Sequence, residues 1–138
     1  MTDLSFDPDD LAEDLLPAAF YPSSVSGARL RRSAGGNRMI HVVHALEGVP
    51  PRHARLADYF VLDGVSDFVL GLTRRRLVLL YRAAGLAPRA GGAIDLEELL
   101  GARIDVRVEH DHWRGQPRLR VVEYRPRSLP SPNDDIPY

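Results

Sequence analysis

Apolar residues recur at every second position along most of this chain and at helical spacing over only one long stretch. The clearest alternation is Ile104, Val106 and Val108 interleaved with Arg103, Asp105, Arg107 and Glu109, the pattern of a strand with one buried face. From Phe68 to Ala84 the period lengthens to that of a helix. Ser66 stands where an N-cap belongs, Val65 and Leu70 are spaced as a hydrophobic staple, and Gly85 supplies the stop. These periods predict a mainly β protein with one long helix.

The remaining segments fill in the order. Tyr21 to Arg32 reads as a strand whose apolar phase shifts across Gly27, which a bulge explains. A Ser-Ala-Gly-Gly-Asn turn at 33–37 leads into a second strand from Met39 to Leu46, ended by Gly48, Pro50 and Pro51. Residues 52–62 read as a third strand, with Leu56, Phe60 and Leu62 on one side and Arg55, Ala57, Tyr59 and Val61 on the other. A short second helix is expected at Asp95, with Glu98 completing a capping box and Gly101 ending it. Asp111 to Pro117 is expected to be a loop holding Trp113, and Arg118 to Tyr124 a fifth strand. Strand, strand, strand, helix, strand, strand is the order of a five-stranded OB-fold Greek-key barrel, with the long and short helices between strands three and four. Other folds share that order.

At 138 residues the chain fits one core, large enough to need no covalent staple. Cysteine is absent, which excludes thiol nucleophiles, Cys-type zinc sites and disulfide scaffolds and agrees with a reducing, cytoplasmic setting. No apolar run approaches a membrane span, and the acidic opening lacks the basic region of a signal peptide. The formal net charge of -1 conceals a segregation. Residues 1–16 carry six acids and no base, and residues 128–138 carry Asp134 and Asp135 and no base. The segment 17–127 holds 18 Arg against 11 acidic side chains, an excess of seven positive charges. The chain therefore divides into an acidic N-terminal segment, a basic folded body and a Pro-rich tail. Leu11, Leu15 and Leu16 are spaced for a short amphipathic helix before Pro17. All the body's basic side chains are Arg, and guanidinium binds phosphate bidentately and stacks on bases as ammonium does not. A GC-rich coding bias also removes Lys, but it leaves the outward displacement of the acids unexplained.

The chain ends Asn133-Asp134-Asp135-Ile136-Pro137-Tyr138. This resembles the acidic tip of bacterial single-stranded DNA-binding proteins, in which acidic residues precede Ile-Pro and a terminal Phe; here Tyr138 stands in the Phe position. Over residues 17–127 the body is similar to phage- and prophage-encoded OB-fold proteins of that kind, which place a helical segment before a Leu-x-Gly-x-x-x-x-Val strand. The matching stretch here is Leu99-Leu100-Gly101-Ala102-Arg103-Ile104-Asp105-Val106. The resemblance implies non-enzymatic binding of single-stranded DNA in the cytoplasm, associated with the nucleoid when DNA is bound. It also implies recruitment of DNA replication, recombination and repair proteins through Asp134, Asp135, Ile136, Pro137 and Tyr138. The free carboxylate and two Asp suit a basic pocket, while Ile136 and Tyr138 are apolar anchors stiffened by Pro137. No cofactor or metal is implied, and the reading leaves room for a homo-oligomer.

Single-strand binding needs cations for the backbone and aromatic faces for bases. The loops expected to grip the strand are flanked by Arg31, Arg32 and Arg38 on one side, and by Trp113, Arg114, Arg118 and Arg120 on the other. Arg55 and Tyr59 alternate along the third strand between them. Trp113, set among polar residues, either stacks on a base or packs over a barrel end. Tyr59 is either a stacking platform or a core or hinge aromatic, whereas Tyr81 belongs to the core. Arg74, Arg75 and Arg76 fan around the helix as a solvated or partly packed face. His110 and His112 share one face of an extended strand, whereas His41 and His44, three apart, point to opposite faces; with no Cys and no His-Glu-x-x-His pattern, this is weak evidence for a metal. The carboxylates Asp58, Asp63, Asp67 and Glu123 show no nuclease arrangement. An adaptor without nucleic-acid affinity is the main rival, favoured by the net charge, and a metal-dependent nuclease the more distant one.

Overall fold

The computed structural model describes residues 15–87 and 95–127. Five strands form one antiparallel sheet: β1 (Ala19–Arg32), β2 (Arg38–Leu46), β3 (Arg55–Val61), β4 (Arg103–Trp113) and β5 (Gln116–Pro126). One α-helix, α1 (Asp67–Ala83), lies between β3 and β4 in sequence, and short 3-10 turns occupy Pro51–His53 and Leu96–Leu99. The strand order is β3-β2-β1-β4-β5. No described helix is long and apolar enough to cross a membrane.

β1 is the hub. Its C-terminal part pairs with β2 up to Arg32 opposite Arg38, and its N-terminal part pairs with β4 from Ala19 opposite Val108. The partners overlap at Ser23 and Ser24, just before the bulge between Val25 and Gly27 that the shifted apolar phase predicts. A bulge bends its strand and increases the local twist, while the other side of β1 stays tied to the segment before β4. Val25 N–H donates to Ala102 O at 2.9 Å, and Val25 O accepts from Gly101 N–H at 2.8 Å.

Alternation then sorts the core. Val25, Ile40, Val42, Leu46, Phe60, Ile104, Val106, Val108, Val121 and Tyr124 are buried, together with Leu77, Leu80, Tyr81 and Ala83 of α1. Tyr81 is a core residue as expected, and its hydroxyl donates to Asp95 O at 2.9 Å. Leu16 is buried in the same cluster, and its carbonyl lies 2.6 Å from His110 Nε2. Ser66 caps α1, its Oγ accepting from Val69 N–H. At the other end Gly85, at φ 77°, allows Leu86 N–H to reach Tyr81 O and its own N–H to reach Arg82 O, the paired bonds of a Schellman stop.

β3 and β5 are the sheet's two edges, and no backbone ladder joins them among the described residues. Side chains bridge them instead. Tyr124 of β5 donates its hydroxyl to Asp58 of β3, and Arg76 of α1 donates to Asp58 Oδ1 at 2.7 Å and to the Tyr124 hydroxyl at 3.2 Å. The Arg76 guanidinium also lies over the Phe60 ring at 4.7 Å. His44, wholly buried, stands 3.9 Å from Asp58 Oδ2 with its ring 5.9 Å from that of Tyr124.

Three expectations need correction. The third strand begins at Arg55 rather than at 52, because Pro51–His53 coil into a 3-10 turn. The second helix is a single 3-10 turn in which Asp95 accepts from Glu97 N–H, so the capping box with Glu98 does not form. Asp111 to Pro117 is not a loop: β4 and β5 continue to Trp113 and from Gln116. Arg114 and Gly115 alone make the turn, at φ 51° and 78°, and two positive values are what a two-residue hairpin of right-handed twist demands. Among the described residues the mainly β architecture stands as one open antiparallel sheet, with no ladder between β3 and β5. The N-terminal amphipathic helix and the C-terminal tip fall, apart from Leu15 and Leu16, outside the described residues.

Candidate functional site

Because Ile40, Val42 and His44 of β2 point into the core, the residues between them face outward with their cross-strand partners. The register sets Arg29, His41 and Tyr59 in one row across β1, β2 and β3, and Gly27, Val43 and Ala57 in the next. Tyr59 is 48% exposed, so it is not a core aromatic. Its ring stacks on His41 with centroids 4.8 Å apart and planes 15° from parallel.

His41 is held below the ordinary histidine pKa by partial burial first, then by the positive charges of Arg31 and Arg29. Arg31 Nη1 lies 3.3 Å from His41 Nδ1. Guanidinium can only donate, so Nδ1 accepts and the neutral ring carries its proton on Nε2. The result is a flat, uncharged, two-ring platform with a cation at its edge.

Beside the platform the small residues of the neighbouring row leave a hollow of about 270 Å³, lined by Ser26, Gly27, Ala28, Arg29, His41, Val43 and Arg55. A Cβ on Gly27 would meet Val43 at 3.7 Å, so alanine fits there and larger side chains would begin to fill the space. Arg29 and Arg55 border the hollow, both are exposed, and neither has an acidic partner among the described residues. Two unpaired guanidinium groups around an open hollow suit an anion of phosphate size.

A second group occupies the β4–β5 hairpin. Trp113 is 55% exposed, so it is not sealed in the core. Its ring lies 5.4 Å from the Arg114 guanidinium and 5.1 Å from that of Arg118. Asp111 holds Arg118 at 3.2 Å and lies 3.9 Å from Arg120. Hydrogen bonds from the His112 backbone and then from Arg118 keep the Asp111 carboxyl below its usual pKa.

The nine residues expected to touch nucleic acid thus separate. Arg31, Arg55 and Tyr59 share the outward face of β1, β2 and β3. Trp113, Arg114, Arg118 and Arg120 share the hairpin. Arg32 and Arg38 serve the β1–β2 turn: Arg32 donates to Gly36 O at 2.9 Å, and Arg38 pairs with Asp63 at 2.9 Å. Asp63 is correspondingly shifted down by the side-chain and backbone hydrogen bonds of Arg38. Since Ala19 of β1 pairs with Val108 of β4, this turn and the β4–β5 turn lie toward opposite ends of β1. Sequence reasoning missed Arg29, His41 and Gly27 as site residues. The first two were signalled by their alternation with Leu30 and Ile40, but the hollow depends on register across three strands.

Among the described residues no three His, Asp or Glu side chains gather where a metal could bind. The expected partner-binding residues Asp134 to Tyr138 lie outside the described residues. In comparison with known proteins, no family model matches the chain and no curated protein matches it.

Proposed function

We propose that this protein binds single-stranded DNA without chemical turnover, on the outward face of β1, β2 and β3, and that its sheet is an OB-fold barrel with side chains bridging one seam. The observation that carries the reading is the Tyr59–His41 platform beside a hollow edged by Arg29 and Arg55. Stacked aromatics bind any base by its π-face, and guanidinium beside them takes the adjoining phosphate. Trp113 with Arg114 and Arg118 offers a second station of the same kind. The strand order and the position of α1 between β3 and β4 support the OB-fold. The terminal hexapeptide, by its resemblance, recruits DNA-processing proteins, and the setting is the cytoplasm.

The adaptor reading draws on the acids that neutralise Arg38 and Arg118. Fluorescence anisotropy with labelled oligo-dT separates the two. Saturable binding with quenching of Trp113 emission is expected, and the oligonucleotide should remain intact after incubation with Mg²⁺. No binding at low salt would leave the adaptor, and cleavage would leave the nuclease. Deleting residues 133–138 should abolish capture of a DNA-processing partner while sparing oligonucleotide binding.

A further inference from the structure

The helix has an outward face that the DNA-binding reading does not use. α1 buries Thr73, Leu77, Leu80, Tyr81 and Ala83. At about 100° per residue, Phe68, Leu72 and Leu79 form a stripe well away from that buried side, and they are 76%, 42% and 48% exposed. Half-exposed Val65 and Val69 widen its N-terminal end. Arg75 and Arg82, three residues beyond Leu72 and Leu79, run along one edge. Both are exposed, and neither has an ion pair among the described residues. Several Arg elsewhere do pair with acids, as in Arg38–Asp63, Arg107–Glu109, Arg118–Asp111 and Arg125–Asp105. The helix itself offers a single acid, Asp67.

We propose that this face of α1 docks an acidic amphipathic helix of a partner protein. The stripe is one helix wide, so Leu or Phe side chains of a partner helix can pack along Phe68, Leu72 and Leu79 while its Asp or Glu residues meet Arg75 and Arg82. A second copy of this chain fits worse. Residue 75 is the midpoint of the stripe from 68 to 82, so a two-fold antiparallel pair would set Arg75 against itself. An anionic membrane fits worse too, because surface recognition of that kind draws on about four to eight clustered cations. The helix exposes Arg74, Arg75 and Arg82 only.

The test uses the full chain and a labelled synthetic peptide of about 15 residues, with Glu on its polar helical face and Leu and Phe on its apolar face. Saturable binding is expected. Phe68→Ser and the double change Arg75→Glu with Arg82→Glu should each weaken it by about tenfold or more. All three residues are exposed, so circular dichroism and the melting temperature should stay unchanged. Excess oligo-dT should not displace the peptide, which keeps this result separate from the fate of the DNA-binding reading. The proposal is overturned if the peptide does not bind, if the variants bind it equally, or if oligo-dT competes. It is also overturned if sedimentation reveals a dimer that Phe68→Ser dissolves, or if anionic vesicles capture the native chain and not that variant.

Discussion

Tyr59 and His41 act as one platform because antiparallel pairing places them directly opposite, at a distance where two flat rings stack. If a base lies on that platform, Tyr59→Ala should weaken oligo-dT binding by about 1 to 3 kcal/mol while Tyr59→Phe retains most of it. Equal loss in both variants would show that the hydroxyl matters rather than the π-face. His41 gives the site a pH dependence whose sign follows from its neighbours. Burial, Arg31 and Arg29 keep it neutral at pH 7, and a bound phosphate would favour the charged ring. Affinity should therefore rise as pH falls through the depressed pKa, and His41→Phe should remove that rise. For folding the same shift acts in the opposite sense. Between the native value and the unfolded value of 6.5 the unfolded chain binds more protons, so the contribution of His41 to stability is full above that window and is lost as pH falls through it. An NMR titration of His41 with and without oligonucleotide reads both effects.

At the scale of elements, the sequence carried most of the architecture wherever a local signal exists. The bulge at Gly27, the Ser66 cap and the Gly85 stop are each written within a few residues. The errors occur where a local rule is overridden. Arg114 holds a positive φ that Asn, Asp or Gly would usually supply, so seven residues of hairpin look like a loop. The pairing of Arg38 with Asp63 spans 25 residues, and nothing in the spacing of either residue announces it. The bridge of Asp58, Tyr124 and Arg76 is equally non-local, since it joins β3, β5 and α1. It joins the two sheet edges through buried polar groups, so Tyr124→Phe should cost about 1 to 3 kcal/mol by leaving Asp58 short of a donor. Chemical denaturation checks this. A change of only a few tenths of a kcal/mol would mean that apolar packing of α1, rather than the polar bridge, holds the edges together.

For the whole molecule, the decisive feature is where charge sits. Acids that would neutralise the body are displaced to residues 1–16 and 128–138, leaving 18 Arg against 11 acids between them. Some of those Arg are committed to internal pairs, whereas Arg29 and Arg55, around the hollow, have no acidic partner among the described residues. Total charge conceals this distribution, and the value of -1 by itself points away from a polyanionic ligand. A polyanion released of its counterions reports the number of contacts directly, with log affinity for a single strand falling by about 0.7 per phosphate contact for each unit of log salt. The most direct measurement is therefore the salt dependence of oligo-dT anisotropy for the native chain and for Arg29→Ala with Arg55→Ala. The account predicts tight binding at low salt, a slope corresponding to several contacts, and a slope in the double variant shallower by about two contacts. Absence of binding, or a slope that the double variant leaves unchanged, would contradict it.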